Sequence, residues 1–472
     1  MIPFYLLLTL LTSIIGYLLF RIVKRTQDWS FALGIFFLYY WSLLGAWFFI
    51  YDDKTYGGGI AWGLHYHYMF KELFLVRANT DYLITIFAYG LFIITIQLVI
   101  LKFTKPKNLF EKAEIEKIKV NHIMLIVLCI ICSLLSLSLV WKQILIAAKY
   151  EESVYYITRH YPSSTYTIHQ LLNQVSIVAL YIGLITFLTG EKGKYFSGSN
   201  NRKMIFGYVL AVIIVEGGLL FLGNKREILF AGIFGFIYYL NTIDYKINWK
   251  HLGLFVMIIG FPLFFNDALR AFSPTFLTHY FDVSDLYFTP PEVVYTEFSV
   301  SNAAIAFLFS NEMFAGHFSM YGAIHKEIPL TYGSSIKSLI ASGIPRFIYP
   351  NRPIPVYDYY VEQVGANKTI GFTIHHATGW FINFGWMGIL IGGALIGWIW
   401  SYLYNAFNEL YKYKNKILRL FFTIGIGAFV AFLPSLIRTG PEGYKALLFE
   451  ALILPSLIVL VSSDVFKRKK GE

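Results

Sequence analysis

The stretch Tyr82–Leu101, YLITIFAYGLFIITIQLVIL, decides the fold because it is 20 residues long and carries no charge. An α-helix of about 20 apolar residues crosses the ~30 Å hydrocarbon core of a bilayer. Ten other apolar runs have similar character, although the seventh and eighth are short. The eleven predicted spans are 3–20, 31–50, 82–101, 122–141, 169–189, 205–222, 227–242, 252–266, 377–404, 419–436 and 446–463. The sequence therefore predicts an all-α polytopic integral membrane protein.

The composition supports the same class. Hydrophobic residues make up 57% of the 472 residues and charged residues only 14%, whereas soluble domains carry about 25% charged residues. The first run lacks a basic leading region and a small-residue cleavage site, so we expect it to be a retained span.

The placement of basic residues predicts the orientation. More than half of the 39 Lys and Arg residues lie in alternate short segments and in the C-terminal tail. Cytoplasmic loops are enriched in these residues, so we expect the N-terminus outside and the tail inside. The tail run Lys467-Arg-Lys-Lys470 is interpreted as an orientation signal beside membrane lipids, and no nucleic-acid partner is expected.

A long outer loop separates the eighth and ninth predicted spans. The chain divides into 1–266 with spans one to eight, the loop 267–376, and 377–472 with spans nine to eleven and the basic tail. A loop of this length is rarely a simple connector. Its prolines favour an extended ribbon near 345–355, and 300–314 is predicted to be helical, on the membrane surface or over the site. We expect the loop to cover a polar site for an anionic substrate.

Basic residues recur beside helix-breaking residues on the predicted outer side. Guanidinium groups bind phosphate bidentately, and several together can hold a diphosphate without a metal. The alternative is a set of arginines that separately reach lipid headgroups. The candidate diphosphate or glycan ligands are Lys225, Arg226, Arg270, Arg346, Arg352 and Arg438.

The candidates for acid–base work are His375, His376 and Glu442. The histidine pair stands where the long loop returns to the membrane, and imidazole titrates near neutral pH. The alternative is a pair of interfacial histidines bonded to backbone or water. Glu442 follows Arg438 by four residues, so a structural salt bridge is an equally good interpretation.

Two carboxylates, Glu216 and Glu450, fall inside predicted spans six and eleven. Intramembrane carboxylates are costly and often functional. The alternative is that each pairs with an arginine and holds the helices together. The sequence has no metal-binding motif and no P-loop, so no metal or cofactor is expected.

Five short motifs resemble the Wzy-type oligosaccharide repeat-unit polymerases, most closely the enterobacterial common antigen polymerase branch. They occur in order over about half of the chain. The motifs are Gly223-Asn-Lys-Arg226, Ala268-Leu-Arg270, Ile344–Pro353 (IPRFIYPNRP), His376–Gly385 (HATGWFINFG) and Leu436-Ile-Arg-Thr-Gly440. The family's Gly-Gly-Thr-Arg turn reads Gly-Asn-Lys-Arg here, and its serine–proline step is replaced by His375-His376.

The resemblance implies a metal-independent GT-C-type glycosyltransferase related to O-antigen ligases. Such enzymes transfer a growing glycan from undecaprenyl diphosphate onto a lipid-linked repeat unit at the outer face of the bacterial inner membrane. It also implies a chain-length regulator and a flippase as possible partners. The family's arginines match Arg226, Arg270, Arg352 and Arg438, which are carried over as diphosphate or glycan contacts.

Two other functions remain open from the sequence. A ligase would pass the same glycan to a different lipid or protein. A flippase or exporter of lipid-linked oligosaccharides would make no bond, but its charges should line a path through the midplane.

Overall fold

The computed structural model describes most of the helical parts of the chain. The described residues are 2–51, 73–74, 76–107, 117–161, 165–189, 196–197, 203–223, 225–242, 249–250, 253, 256–257, 260, 273–287, 311–341, 349, 351, 353–366 and 373–465. They belong to two compact units. Unit 1 comprises Met1–Glu111, Glu297–Asn408 and Phe432–Leu447, and unit 2 comprises Lys112–Thr296, Glu409–Ala431 and Leu448–Glu472.

Helices dominate the described secondary structure. In chain order they are α1 (Ile2–Thr26), α2 (Ser30–Tyr39), α3 (Gly45–Tyr51), α4 (Thr80–Phe103), α5 (His122–Leu139), α6 (Trp141–Lys149), α7 (Val154–His160), α8 (Tyr166–Thr189), α9 (Lys203–Phe221), α10 (Lys225–Thr242), α11 (Asn311–His325), α12 (Ser334–Ala341), α13 (Val356–Val364), α14 (His376–Asn408), α15 (Lys416–Ile437), α16 (Gly443–Ala446) and α17 (Leu454–Val461). Two π-helical segments are Tyr40–Leu44 and Leu447–Ile453, and two 3₁₀ turns are Thr275–His279 and Leu410–Lys412. The two-residue strands β1 (Ile118–Lys119) and β2 (Phe196–Ser197) pair in parallel.

Within the described ranges, nine helical segments are long and apolar enough to cross a membrane. They are Ile2–Thr26, Ser30–Trp47, Thr80–Phe103, His122–Leu139, Ile168–Thr189, Met204–Phe221, His376–Asn408, Lys416–Ile437 and Gly443–Val461. The protein is thus an all-α multi-pass membrane protein. The seventh predicted span is a helix, α10, but three charged residues fill its first turn. The eighth predicted span, 252–266, lies largely outside the described residues, so the total of eleven stays a prediction.

Helices α4 and α14 pack extensively against each other in unit 1. A Cβ at Gly393 would lie 2.9 Å from the carbonyl oxygen of Phe92, and one at Gly397 would lie 2.6 Å from that of Ile96. Glycines spaced four residues apart let helix backbones approach closely in a membrane, where packing replaces the hydrophobic effect. This contact is therefore a main source of cohesion in unit 1.

Helix α14, which contains the predicted span 377–404, is broken near its start. Phe384 has φ −141° and ψ 19°, and Gly385 has φ 59° and ψ −141°, a region open to glycine alone. The arm before the break folds back, so that a Cβ at Gly388 would lie 1.9 Å from the carbonyl oxygen of Trp380. Only the part after Gly385 continues as a regular helix.

The long loop contributes to the core of unit 1. Its helix α11 is buried from Gly316 to Ala323, and the predicted placement of 300–314, on the membrane surface or over the site, stays a prediction. Residues 300–310 lie outside the described part. The loop also divides at Thr296 between the two units. Its predicted role as a cover over the site stays a prediction.

In unit 2, helix α8 occupies the centre and packs against α5, α9, α10 and α17. Helix α5 begins where the Asn121 side chain accepts a hydrogen bond from the Met124 N–H at 3.2 Å, a standard N-cap. The Asn121 N–H donates to the Ser462 carbonyl at 2.7 Å and the Asp464 N–H to the Lys119 carbonyl at 3.0 Å. We refer to these contacts between 119–121 and 462–464 as the C-terminal clasp.

Candidate functional site

Three buried histidines lie close to one another in unit 1, and the π-helical segment Tyr40–Leu44 supplies a partner to two of them. His317 donates from Nδ1 to the Ser42 carbonyl at 2.9 Å. Its Nε2 therefore accepts from the Tyr82 hydroxyl at 2.8 Å. Burial lowers the pKa of His317 to about 4, although the Ser42 carbonyl raises it. His317 is thus neutral with both ring nitrogens bonded.

His375 is also fully buried. Its Nδ1 accepts from the Ala377 N–H at 3.1 Å, so Nε2 carries the hydrogen and donates to the Ser42 hydroxyl at 2.9 Å. The ring packs edge-on against Tyr89 with centroids 4.4 Å apart. Burial lowers the pKa of His375, and the neighbouring His376 and His317 lower it further.

His376 begins helix α14 and is fully buried as well. Its Nδ1 donates to the Thr439 carbonyl at 2.8 Å, and Nε2 accepts from Trp380 Nε1 at 3.0 Å and from the Tyr444 hydroxyl at 3.2 Å. Either candidate base must release one of these bonds before it can take a proton from a substrate. Their catalytic role stays a prediction.

Four residues of this cluster are not among the site residues predicted from the sequence: Ser42, Tyr82, Tyr89 and His317. Tyr89 donates to the His317 carbonyl at 2.6 Å, across 228 positions of sequence. No local spacing connects residues so far apart. The one available signal was the presence of polar side chains, such as Ser42, inside otherwise apolar runs.

The buried histidines predict that stability depends on pH. A folded pKa of about 4 for His317 lies below the unfolded value of 6.5, so its contribution is present above pH 6.5 and is lost as pH falls towards 4. At pH 5 the loss approaches about 2 kcal/mol for this group. We expect the Tm of purified protein in neutral detergent to fall from pH 7 to pH 5. In His317→Gln, Tm at pH 7 should be lower but its fall on acidification smaller, and an unchanged slope would contradict this account.

Arg438 follows helix α15 and lies with its guanidinium carbon 5.5 Å from the centroid of the Trp41 ring. The Trp41 side chain comes from the same π-helical segment as Ser42. Guanidinium groups stack on indole through cation–π attraction. Arg438 therefore belongs to the surroundings of the histidine cluster in unit 1.

Glu442 caps a helix. Its Oε1 accepts from the Val356 N–H at 2.8 Å, where helix α13 begins. Burial raises the pKa of the Glu442 carboxyl, while the Val356 N–H lowers it. A carboxylate at a helix N-terminus satisfies one of its open donors and complements its dipole. The structure thus gives Glu442 a structural contact across 86 positions of sequence.

Two substitutions separate capping from acid–base work at Glu442. Glu442→Gln retains an oxygen that accepts from the Val356 N–H, so we expect a nearly unchanged Tm. We also expect unchanged formation of the glycan product that the family resemblance implies. Glu442→Ala removes the cap and should cost about 1 kcal/mol. Thermal unfolding and product formation measured on both variants test this. Loss of product in the Gln variant at unchanged Tm would instead assign acid–base chemistry to Glu442.

In unit 2, Arg226 lies in the first turn of helix α10 between two carboxylates. Its Nε and Nη2 donate to Glu227 Oε1 at 3.2 and 3.0 Å. Nη2 also lies 3.8 Å from Glu450 Oε2. The Glu227 side chain is 3% exposed, whereas that of Arg226 is 42% exposed. A buried carboxylate therefore orients a guanidinium that is itself partly exposed.

The two intramembrane carboxylates have different partners. Glu450 lies in the π-helical segment Leu447–Ile453 and contacts Arg226, which is the arginine pairing considered from the sequence. Glu216 instead accepts a hydrogen bond from the Tyr181 hydroxyl at 2.7 Å. Single π turns inside α-helices are frequent at functional positions. In this chain the segment Tyr40–Leu44 contains Ser42, and the segment Leu447–Ile453 contains Glu450.

Several predicted ligands fall outside the described residues. These are Arg270, Arg346 and Arg352, together with the side chain of Lys225. Arg226 belongs to unit 2 and Arg438 to unit 1. The gathering of the outer basic residues into one pocket stays a prediction.

Among the described side chains, His, Cys, Asp and Glu form no group of three that could hold a metal ion. No family model, curated protein or solved structure matches this chain.

Proposed function

We propose that the protein is a polysaccharide polymerase of the GT-C type. It transfers a growing glycan from undecaprenyl diphosphate onto a lipid-linked repeat unit at the outer face of the bacterial inner membrane. The ordered motifs named above support this proposal. Among the described residues, the observation that carries it is the partly exposed guanidinium of Arg226, which is oriented by the buried carboxylate of Glu227.

This arrangement suits a group that stabilises a leaving diphosphate. When the glycosidic bond to the carrier breaks, negative charge builds up on the bridging oxygen, and a pre-oriented cation lowers the energy of that state. Glu227 fixes the orientation of the Arg226 guanidinium, so this group does not have to be ordered during the reaction. Arg438, which lies against the Trp41 ring within unit 1, stays a candidate diphosphate or glycan ligand in this proposal.

Glu450 limits the free positive charge of Arg226. Two carboxylates around one guanidinium disfavour an incoming anion, so binding requires the 3.8 Å contact with Glu450 to open. Glu450→Gln is therefore proposed to strengthen donor binding. Removal of the acceptor proton is assigned to His375 or His376, each of which must exchange a protein hydrogen bond for one to the sugar hydroxyl.

A reaction with purified components tests the function. Full-length protein in liposomes is supplied with labelled repeat units on undecaprenyl diphosphate, and products are separated by length. Polymerisation produces a ladder, whereas a ligase needs a different acceptor and yields one transferred product. Movement of the labelled lipid between leaflets with no new glycosidic bond would overturn the proposal in favour of a flippase. A chain-length regulator, if it is a partner, should narrow the ladder.

A further inference from the structure

A strongly basic cavity of about 800 Å³ lies in unit 1 where helices α1 and α4 end. Of its nine lining residues, five are basic and none is acidic. The basic lining residues are Arg21, Lys24, Arg25, Lys102 and Lys107. The glycosyl transfer proposed above does not involve this cavity.

The ends of the two helices account for only part of this charge. Arg25 donates from Nη1 to the Leu101 carbonyl at 2.5 Å and so caps α4. Arg21 contacts Tyr17, and Lys102 lies 5.5 Å from the Phe103 ring centroid. Cations at helix C-termini complement the helix dipole. One basic residue at the C-terminal end of each helix would be enough for that purpose.

Several like charges around one cavity repel one another. The nearest described carboxylate in sequence, Asp28, is buried and accepts a hydrogen bond from the Ser30 N–H at 2.8 Å. Arg21, Lys24, Lys102 and Lys107 are all exposed. An anion in the cavity would relieve their mutual repulsion and form charge-assisted hydrogen bonds.

The surroundings favour a lipid over a soluble anion. Both α1 and α4 are apolar enough to span a membrane, so their ends lie near the headgroup region. Beside the cavity, Tyr17, Phe20 and Phe103 expose 57%, 62% and 48% of their surfaces. Basic pockets between transmembrane helices on the cytoplasmic side, where charge placement puts this cavity, bind anionic headgroups.

We propose that this cavity binds the headgroup phosphate of an anionic diacyl phospholipid, with its acyl chains against the apolar side chains of α1 and α4. Arg21, Lys24 and Lys102 contact the phosphate, while Arg25 keeps its structural bond to Leu101. The site thus ties the predicted inner ends of two helices to one lipid molecule.

The test measures lipid binding to the purified full chain in neutral detergent by native mass spectrometry and by the shift in Tm. Phosphatidylglycerol is expected to bind and raise Tm, whereas phosphatidylcholine and glycerol 3-phosphate should do neither. The triple variant Arg21→Gln/Lys24→Gln/Lys102→Gln should bind phosphatidylglycerol at least about tenfold more weakly. Arg25 is left intact because it caps α4.

A matched triple variant, Lys105→Gln/Lys119→Gln/Lys414→Gln, removes the same charge from the same predicted face outside the cavity. It should bind phosphatidylglycerol like the natural chain. Equal loss in both triple variants, or unchanged binding in the first, overturns the proposal. Competition by glycerol 3-phosphate would show that the cavity binds a soluble anion, and this would overturn the assignment to a lipid. Should the first triple variant fail to fold, Lys24→Gln and Lys102→Gln alone should each weaken binding about threefold, and wild-type affinity in both would be equally decisive.

Discussion

Replacing Arg226 with alanine is expected to stop the formation of long glycan chains while single repeat units stay attached to lipid. Removal of one pre-oriented donor from a charge-stabilising site typically lowers turnover by about 10²–10³-fold. Arg226→Lys should recover only part of the activity, because an ammonium keeps the charge but loses the planar fork held by Glu227. The measurement is the chain-length profile in cells together with the rate in liposomes.

The control for this prediction removes the same charge at a different outer position. Arg77 is an exposed arginine on the predicted outer side, outside the motifs shared with the polymerases, and Arg77→Ala should give a normal ladder. Membrane levels and Tm of each variant must match those of the natural protein. Wild-type chain lengths in Arg226→Ala would remove Arg226 from the catalytic proposal.

The largest expected effect on folding comes from Gly388→Ala. The added Cβ would lie 1.9 Å from the carbonyl oxygen of Trp380, far inside contact distance, and backbone on both sides leaves nothing flexible to move. The folded-back arm before Gly385 must then separate from the rest of α14. Since His376 and Trp380 lie on that arm, the histidine cluster should be lost as well.

Gly16→Ala in helix α1 is the matched control, because a Cβ there meets nothing within 4 Å. Alanine favours helix over glycine by about 1 kcal/mol, so this variant should be neutral or slightly stabilised. Folded yield in detergent and thermal unfolding compare the two. A Gly388→Ala protein with natural yield and Tm would contradict the close packing described for α14.

The class of the fold was predictable from the sequence because runs such as Tyr82–Leu101 have one physical solution in a bilayer. The break in α14 was not, since the stretch around Gly385 is apolar enough to be interpreted as one span. The break lies at the non-helical Phe384 and Gly385 and brings Trp380 against Gly388, a close approach that hydropathy does not register. The burial of α11 was missed for a similar reason, because a loop between spans is not expected to fill a core.

The candidate site was predictable only in part. Arg226 is predictable because it follows a glycine turn, whereas its orienting partner Glu227 belongs to none of the predicted site residues. His375 and His376 were identified by their chemistry, whereas the neighbouring His317 lies some 60 positions away on α11. Hydrogen bonds that join distant segments depend on the packing of whole helices, and no motif spacing encodes them.

The C-terminal clasp between 119–121 and 462–464 constrains the length of helix α17. The chain has a contact on each side of α17, between Glu450 and Arg226 and between Ser462 and Asn121. The number of residues between these two contacts is therefore constrained. Adding or deleting one residue there would rotate the helix by about 100° and force one of the two attachments to open. The C-terminal helix should therefore tolerate substitutions far better than changes in its length.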